Sequence, residues 1–415
     1  MKKIVFLGGS AQQVIAIETA KKIGYYTILC DFLTDNPGQY AADKFYLVST
    51  TDKEAVLKVA EKEKIDGIVA YASDPAVPTA AYVAEKLGLY TNPYLSVELL
   101  CNKDEFRKFL SDNGFNTPVS GGYGNIEKAL DDIGRFRFPV IVKPVDSSGS
   151  KGVTVLHSPE GLRSAMEFAF SFSRCKRVII EEFIEKAHPY LIGGDIFVWD
   201  GKVIMWGLMN CHRDESVNAL VPVGKSYPPA LKDSELDAVK QTIQLMIDKL
   251  RIKSGAMNVE LVVDKDGKVW PIDIGPRNGG NMIPDLLGYI FGADVVEMTV
   301  RAAMGEVPTL KMNAPTPYYA THNLHSDKNG IFKRVVYSEK IRPYIVRENI
   351  YKTAGDPVEC FDNASKAVGI VFLKFDSAEA MHDILSDINS HIIIETEPAI
   401  KQTCGIMSMC GLMRK

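Results

Sequence analysis

The sequence predicts a protein of mixed α/β and α+β class. A parallel sheet flanked by helices comes first, a central region built on antiparallel hairpins follows, and a small α+β part closes the chain. Three observations carry this. The first hundred residues alternate short apolar runs with amphipathic segments, the pattern of βαβ units. In the central region apolar runs come in pairs around glycine-containing turns, as in "VIVKPVDSSGSKGVTVL" and "NVELVVDKDGKVWPIDIG". The C-terminal run "KAVGIVFLKFDSAEAMHDILSDINSHIIIETE" reads strand, helix, strand, with Ala380, Ile384 and Ile388 on one helix face.

The elements of the first part follow in order. "KIVFLGG" is a strand ending in glycines. "SAQQVIAIETAKKIG" is a helix with Val14, Ile17 and Ala20 inward and Gly24 as its stop. "YTILCDF" is a strand ending at Asp31, and "KFYLVST" is another. A helix runs through "TDKEAVLKVAEKEK". "DGIVAYASD" is a strand with Ser73 and Asp74 at its tip, and "PAVPTAAYVAEKLG" is the next helix. A dinucleotide fold is a tempting reading, because "GGSAQQ" sits at the fingerprint position and Asp31 lies about 20 residues on. The match is weak: the two glycines are adjacent and Gln13 stands where the third belongs. The competing expectation is a nucleotide-type fold that binds no nucleotide, or part of a substrate, at its strand tips.

Composition narrows the classes. A chain of 415 residues allows two to four domains at roughly 100–200 residues each. A hydrophobic fraction of 46% and a charged fraction of 24% are those of an ordinary globular protein. The net charge of −4 offers no overall basic field for nucleic acid. No apolar run approaches the ~18 residues of a membrane span. "MKKIVFLGG" is too short for a signal peptide and reads as the first strand. The seven cysteines are scattered and odd in number, with no CxxC, which favours reduced thiols in a cytoplasm over disulfides or a zinc site. The expectation is a cytoplasmic protein without nucleic-acid or membrane partners, and a homodimer is left open.

Chemistry concentrates in the centre. "KDEFRKFLSDNG" is a helix with Phe106, Phe109 and Leu110 inward. It opens on Lys103, an unfavourable place for a cation unless an anion meets it there. In "VIVKPVDSSGSKGV" a strand ends on Lys143 and a loop of small residues leads to a second strand. Such a loop lets backbone N–H groups approach an anion. It is no Walker loop, because the lysine precedes the small residues and no helix follows. "RVIIEEFIE" is a strand running into Glu181 and Glu182. In the hairpin around Asp266-Gly267, alternation puts Glu260 and Asp273 opposite one another, with Arg277 just beyond. Two facing carboxylates repel unless a cation lies between them, and oxygen ligands of this kind suit Mg²⁺.

In order, "NKDEFRKFLSDNGFNTP", "FPVIVKPVDSSGSKGV", "IIEEFIE" and "NVELVVDKDGKVWPIDIGPRNGG" resemble the ATP-grasp enzymes, in the branch of phosphoribosylglycinamide synthetase, biotin carboxylase and the carbamoyl-phosphate synthetase large subunit. The resemblance runs from residue 1 to about 310. It implies a Rossmann-like (pre-ATP-grasp) domain over 1–100, an ATP-grasp domain over 101–310 with a mobile lid at about 138–185, and an α+β subdomain over 311–415. It implies ATP and Mg²⁺ (or Mn²⁺) as ligands. Lys103 and Lys143 match the lysines on the ATP phosphates. Ser147, Ser148, Gly149, Ser150 and Gly152 match the lid loop. Glu181 matches the acid on the adenine amino group, with Glu182 beside it and the backbone of Phe183 and Ile184 closing the slot. His188, or alternatively Glu185, falls at the ribose position. Glu260 and Asp273 match the metal ligands, and Arg277 the arginine at the reacting phosphate or carboxylate. One position departs: where the family reads E-x-N-x-R, this chain reads Asp273-Ile274-Gly275-Pro276-Arg277, and Gly275 offers no side chain. Asn278, Asn281 or water are the expected substitutes.

The function implied is activation of a small-molecule carboxylate as an acyl phosphate, followed by attack of an amine. The alternatives are a bicarbonate-using carboxylase or carbamoyl-forming enzyme, and an ATP-binding module without catalysis, the latter motivated by Gly275. Lys225, in a loop of "LVPVGKSYPP", is a further candidate for a substrate carboxylate. The loop 147–152 has no large apolar anchor and is expected to be mobile. The tail "CGIMSMCGLM" is expected to pack in a core or interface rather than bind metal.

Overall fold

The structure, a computed structural model, describes residues 1–147, 149–309 and 311–398. Ser148 and the Met- and Cys-rich tail lie outside the described residues. The N-terminal sheet is built from β1 (Lys3–Leu7), β2 (Tyr26–Asp31), β3 (Lys44–Leu47) and β4 (Gly67–Val69), all parallel, in the order β3-β2-β1-β4. Most residues of β1, β2 and β4 are buried because helices Val14–Lys22, Lys53–Glu63 and Val77–Lys86 pack on the sheet through Ile17, Ala20, Val56, Val59, Ala80 and Val83, whereas β3 is an exposed edge. This is the predicted βαβ series. Asp52 caps one helix by accepting from the Ala55 N–H.

The loop after β1 explains why the dinucleotide signal is weak. The Gln13 side chain folds over Gly8, donates to the carbonyls of Leu7 and Tyr71, and accepts from Ser10. A Cβ on Gly8 would lie 2.5 Å from the Gln13 amide. Asp31 is 6% exposed and accepts the Gly9 N–H at 2.7 Å. The loop and the acid that a dinucleotide would need thus satisfy each other.

A four-stranded antiparallel sheet follows: β5 (Ser120–Tyr123), β6 (Val140–Pro144), β7 (Thr154–Leu156) and β8 (Val178–Glu182), in the order β5-β8-β6-β7. The hairpin of β6 and β7 pairs Val140 with Leu156 and Val142 with Thr154, so the predicted strand–loop–strand is present. Helices Ile126–Asp132 and Leu162–Phe172 cover one face through Ala129, Leu162, Met166 and Ala169. The sheet begins at Ser120, upstream of the expected lid start at about 138.

The largest sheet has eight strands. It contains β9 (Leu191–Trp199), β10 (Lys202–Asp214), β11 (Asn218–Tyr227), β12 (Ser254–Val263), β13 (Val269–Gly275) and β14 (Tyr319–Leu324). A small sheet of β15 (Gly330–Tyr337), β17 (Pro357–Val358) and β19 (Ile392–Glu397) stands beside it. With β16 (Ile345–Ile350) and β18 (Gly369–Lys374), the large sheet reads β13-β12-β9-β10-β11-β14-β18-β16. It therefore crosses the expected division at 310, because β14, β16 and β18 extend the sheet begun by β9–β13. Helix Asp233–Leu250 packs on one face through Val239, Ile243, Met246 and Ile247. Helices Ile283–Phe291 and Val295–Ala303 supply the third cluster of apolar residues.

Candidate active site

The register of β12 on β13 pairs Glu260 with Asp273 and Asn258 with Gly275, as the alternation predicts. Directly opposed residues place Cβ atoms about 4.5–5.5 Å apart. On β12's other side Glu260 faces Gly193 and Asn258 faces Asp195 of β9. Period two brings Asp273, Glu260, Gly275, Asn258 and Asp195 onto one face of the sheet. Cys211 and Lys225, partners across β10 and β11, lie on the same face, with the lysine Nζ 2.6 Å from Cys211 Sγ. Lys225 is therefore a strand residue, not the loop residue expected; the bend comes later, at Pro228.

The charged groups of this face are paired with one another. Lys143 Nζ lies 2.7 Å from Glu181 Oε2, and Arg107 Nε 2.8 Å from Glu181 Oε1. All three side chains are under 10% exposed. Burial works to raise the Glu181 carboxyl, but Arg107 and Lys143 outweigh it and bring it down to about 2. Burial lowers the Lys143 ammonium in spite of Glu181. Lys103 donates to the Ser147 carbonyl at 2.9 Å and stands 3.8 Å from Asp273 Oδ2, the anion that its helix-opening position calls for. Glu260 is bonded to Arg213. Arg277 forms a two-pronged pair with Asp74, Nε to Oδ1 at 2.7 Å and Nη2 to Oδ2 at 2.6 Å.

Glu181 is the buried counter-ion of Lys143 and Arg107, so its carboxylate would reach an adenine amino group only in exchange for one of these partners. Glu182, on the opposite side of the strand, turns outward to Arg137 at 2.9 Å. Facing Asp273 does not raise the Glu260 carboxyl. Burial would raise Glu260, yet Arg213 and Lys225 hold it below its usual range. A Cβ at Gly275 would lie 2.8 Å from Asp74 Oδ1 and 3.1 Å from Arg277 Cζ, so a side chain there would have to displace the Asp74–Arg277 pair.

The remaining candidates divide. Phe183, Ile184 and Glu185 line a cleft of about 420 Å³ with Glu182, Arg137 and Trp270, at the mouth of the strand that carries Glu181. The Phe183 N–H is already engaged by the Pro139 carbonyl at 3.0 Å. His188 stands apart from that lining, its Nε2 3.4 Å from Glu235 at the start of helix Asp233–Leu250. In the loop, Ser147 Oγ donates to the Lys151 carbonyl and Ser150 Oγ to Leu220 of β11 at 2.8 Å, so the loop has a polar tether to the sheet. Gly149 and Gly152 have positive φ, +67° and +74°. Asn278 is fully buried with both side-chain polar atoms unpartnered, whereas Asn281 is partly exposed.

Arg107, Arg213, Asp74 and Asp195 are the residues that sequence reasoning did not bring into the site. Arg107 carries a usable signal, since it lies one helical turn after Lys103 and so shares its face. Asp195 is fully buried, raised by that burial against the Gly279 N–H and Asn258 amide that it accepts from. It holds the "PRNGG" turn in place. Beside Arg213 a recess of about 180 Å³ is lined by His212, Asp214, His322 and Asn389. Burial, then Lys225 and Arg213, push His212 down to about 4, so its ring is neutral.

Among the described residues no group of three His, Cys, Asp or Glu side chains could hold a metal. Two opposed carboxylates with hard oxygen donors still fit Mg²⁺ or Mn²⁺, when a nucleotide and water complete the shell. Glu260 and Asp273 are that pair.

A family model for the ATP-grasp domain matches residues 136–285. The formate-dependent phosphoribosylglycinamide formyltransferase of Bacillus velezensis is 34% identical over 345 residues, covering 78% of this chain and 83% of that protein. The chain belongs to the ATP-grasp family. The C-terminal section of the carbamoyl phosphate synthase large chain of Aquifex aeolicus is 24% identical over 322 residues, 74% of this chain but only 58% of that relative, so the chain spans little more than half its length. The crystal structure of an L-amino acid ligase from Bacillus licheniformis superimposes with a TM-score of 0.76 at 19% identity, over 96% of this chain and 99% of that one. That likeness is one of fold. Five of the cysteines lie among the described residues and all are free thiols, and no helix there is long and apolar enough to cross a membrane.

Proposed function

We propose that the chain is an ATP-dependent ligase that activates a small-molecule carboxylate as an acyl phosphate for attack by an amine. The observation that carries this is the crowding of five cations, Lys103, Lys143, Arg213, Lys225 and Arg277, around the opposed carboxylates Glu260 and Asp273. Phosphoryl transfer needs little besides positioning and charge neutralisation, and this is a site of that kind. The domain division 1–100, 101–310 and 311–415 is part of the proposal, with the β5–β8 sheet as the lid.

ATP enters as substrate, its base in the cleft of Phe183 and Ile184 and its phosphates at Lys103 and Lys143. Glu260 and Asp273 would hold Mg²⁺ or Mn²⁺, which when bound supplies positive charge to the phosphate oxygens. Lys143 and Lys103 must give up Glu181 and Asp273 to face the phosphates. A substrate carboxylate oxygen attacks the γ-phosphorus, the bond to the ADP oxygen breaks, and the acyl phosphate forms. Lys143 and Arg277 offset the charge that develops. The amine then attacks the acyl carbon, phosphate leaves, and the amine's proton passes to solvent or phosphate. The relative from Bacillus velezensis is by name formate-dependent, and formate is a small carboxylate, which supports the substrate class.

The test is ADP release from wild type with panels of carboxylates and amines, each alone and together. Sustained release that requires both is the expected result. Release driven by bicarbonate alone would favour the carboxylase reading, and none with any substrate the inactive module.

A further inference from the structure

Lys103, Lys143, Arg213 and Arg277 already have carboxylate partners, so binding would mean exchanging partners. ATP phosphates would replace Glu181 and Asp273 at Lys143 and Lys103, and Glu260 would leave Arg213 to hold a metal. The pair of Arg277 with Asp74 is different. Neither partner is a metal-ligand candidate, and Asp74 comes from another sheet, at the tip beyond β4. Its backbone is anchored there, since its carbonyl accepts from Cys101 Sγ at 3.9 Å.

The fork of Asp74 on Arg277 is the geometry a substrate carboxylate would adopt on the same guanidinium. Asp74 therefore holds the place of a carboxylate ligand. A ligand bearing only a carboxylate would displace it and take the Arg277 guanidinium from a partly buried anion, which is costly. A ligand with a cation one carbon from its carboxylate repairs the loss: the carboxylate takes Arg277 and the cation takes Asp74. Gly275 lies against this pair: a Cβ there would stand 2.8 Å from Asp74 Oδ1 and 3.1 Å from Arg277 Cζ, so a side chain would have to push the pair aside.

We propose that Asp74 and Arg277 form a binding site for the zwitterion of an α-amino acid, with Asp74 as the specificity-determining residue for its ammonium group. This rests on the ligase reading for the fate of the carboxylate, but the binding claim is separable from it.

The experiment is a melting series on wild type with Mg²⁺ and the β,γ-imido analogue of ATP. α-Amino acids are titrated beside their N-acetyl derivatives and their decarboxylated amines. At least one free amino acid should raise Tm, and its two counterparts should require at least tenfold higher concentration. Asp74→Asn should lose that discrimination while keeping the nucleotide response. Asp74→Glu, which retains the charge, should keep the preference and serves if the asparagine variant does not fold. N-acetyl acids that bind as well as free amino acids, or no amino acid that shifts Tm, would overturn the site. ADP release with ATP, read in parallel, separates the two claims. Amino acids that bind without ADP release would condemn the ligase reading and leave the site standing. ADP release driven only by carboxylates without an amino group would uphold the ligase and overturn the site.

Discussion

Glu181 is 3% exposed and lies between the Lys143 ammonium and the Arg107 guanidinium. Its carboxyl is brought from an ordinary 4.5 down to about 2, so the folded state binds its proton less readily than the unfolded chain. A depressed carboxyl contributes stability that is complete above its unfolded value and is lost as pH falls from about 4.5 toward 2. Glu181→Gln should remove that part of the acid dependence. It should also cost about 3–5 kcal/mol at neutral pH, because two buried cations lose their anion. Denaturant melts of wild type and variant at neutral pH and near pH 3 check both; equal stability at neutral pH would refute the buried triad. Lys143 is consequently structural as well as a proposed phosphate ligand, and Lys143→Ala should lower the melting temperature rather than leave it near wild type. At this scale the sequence shows which residue types carry charge but not whom they face. Lys143, Glu260, Asp273 and Arg277 were legible because strand alternation and motif order fix them. Arg213 and Asp74 were not, because their partners lie 47 and 203 residues away.

The hairpin of β6 and β7 shows how an element carries function. Its loop depends on Gly152, whose φ of +74° and whose neighbours Phe172 and Pro144, each 2.9 Å from a built Cβ, leave no room for a side chain. Gly152→Ala should destabilise this sheet locally, and it should weaken ATP binding more than it lowers global stability. Hydrogen exchange over residues 149–153, with and without ATP and Mg²⁺, follows the effect. Protection should rise with nucleotide in wild type and less in the variant; no change in wild type would refute closure over the phosphates. The hairpin was legible because turn glycines and apolar runs are local signals. The start of its sheet at Ser120 was not, since β5 is "SGGY" and holds its place only by pairing with β8.

Across the whole molecule the long-range outcome is the eight-stranded sheet that runs through the expected division at 310. Local pattern gave the strand–helix–strand of the last part, but which sheet each strand joins depends on distant partners, as far apart as Gly224 of β11 and His322 of β14. The proposed site then has the eight-stranded sheet as its floor, carrying Glu260 and Asp273, while Asp74 comes from the tip beyond β4 and Lys143 from the β5–β8 sheet. The central claim is that the charged groups of this site are neutralised by internal pairs that ATP and metal would exchange together. Metal alone must displace Arg213 from Glu260, and ATP alone must separate Lys143 and Lys103 from their carboxylates; bound together, each supplies the other's missing partner. The most direct measurement is a melting titration of wild type and Asp273→Asn with ATP, with Mg²⁺ and with both. The account predicts that the two together raise the wild-type Tm by more than the sum of their separate shifts, through linkage to the folded state, and that the variant keeps its fold but shows no such excess. Additive shifts in wild type, or an undiminished excess in Asp273→Asn, would contradict it.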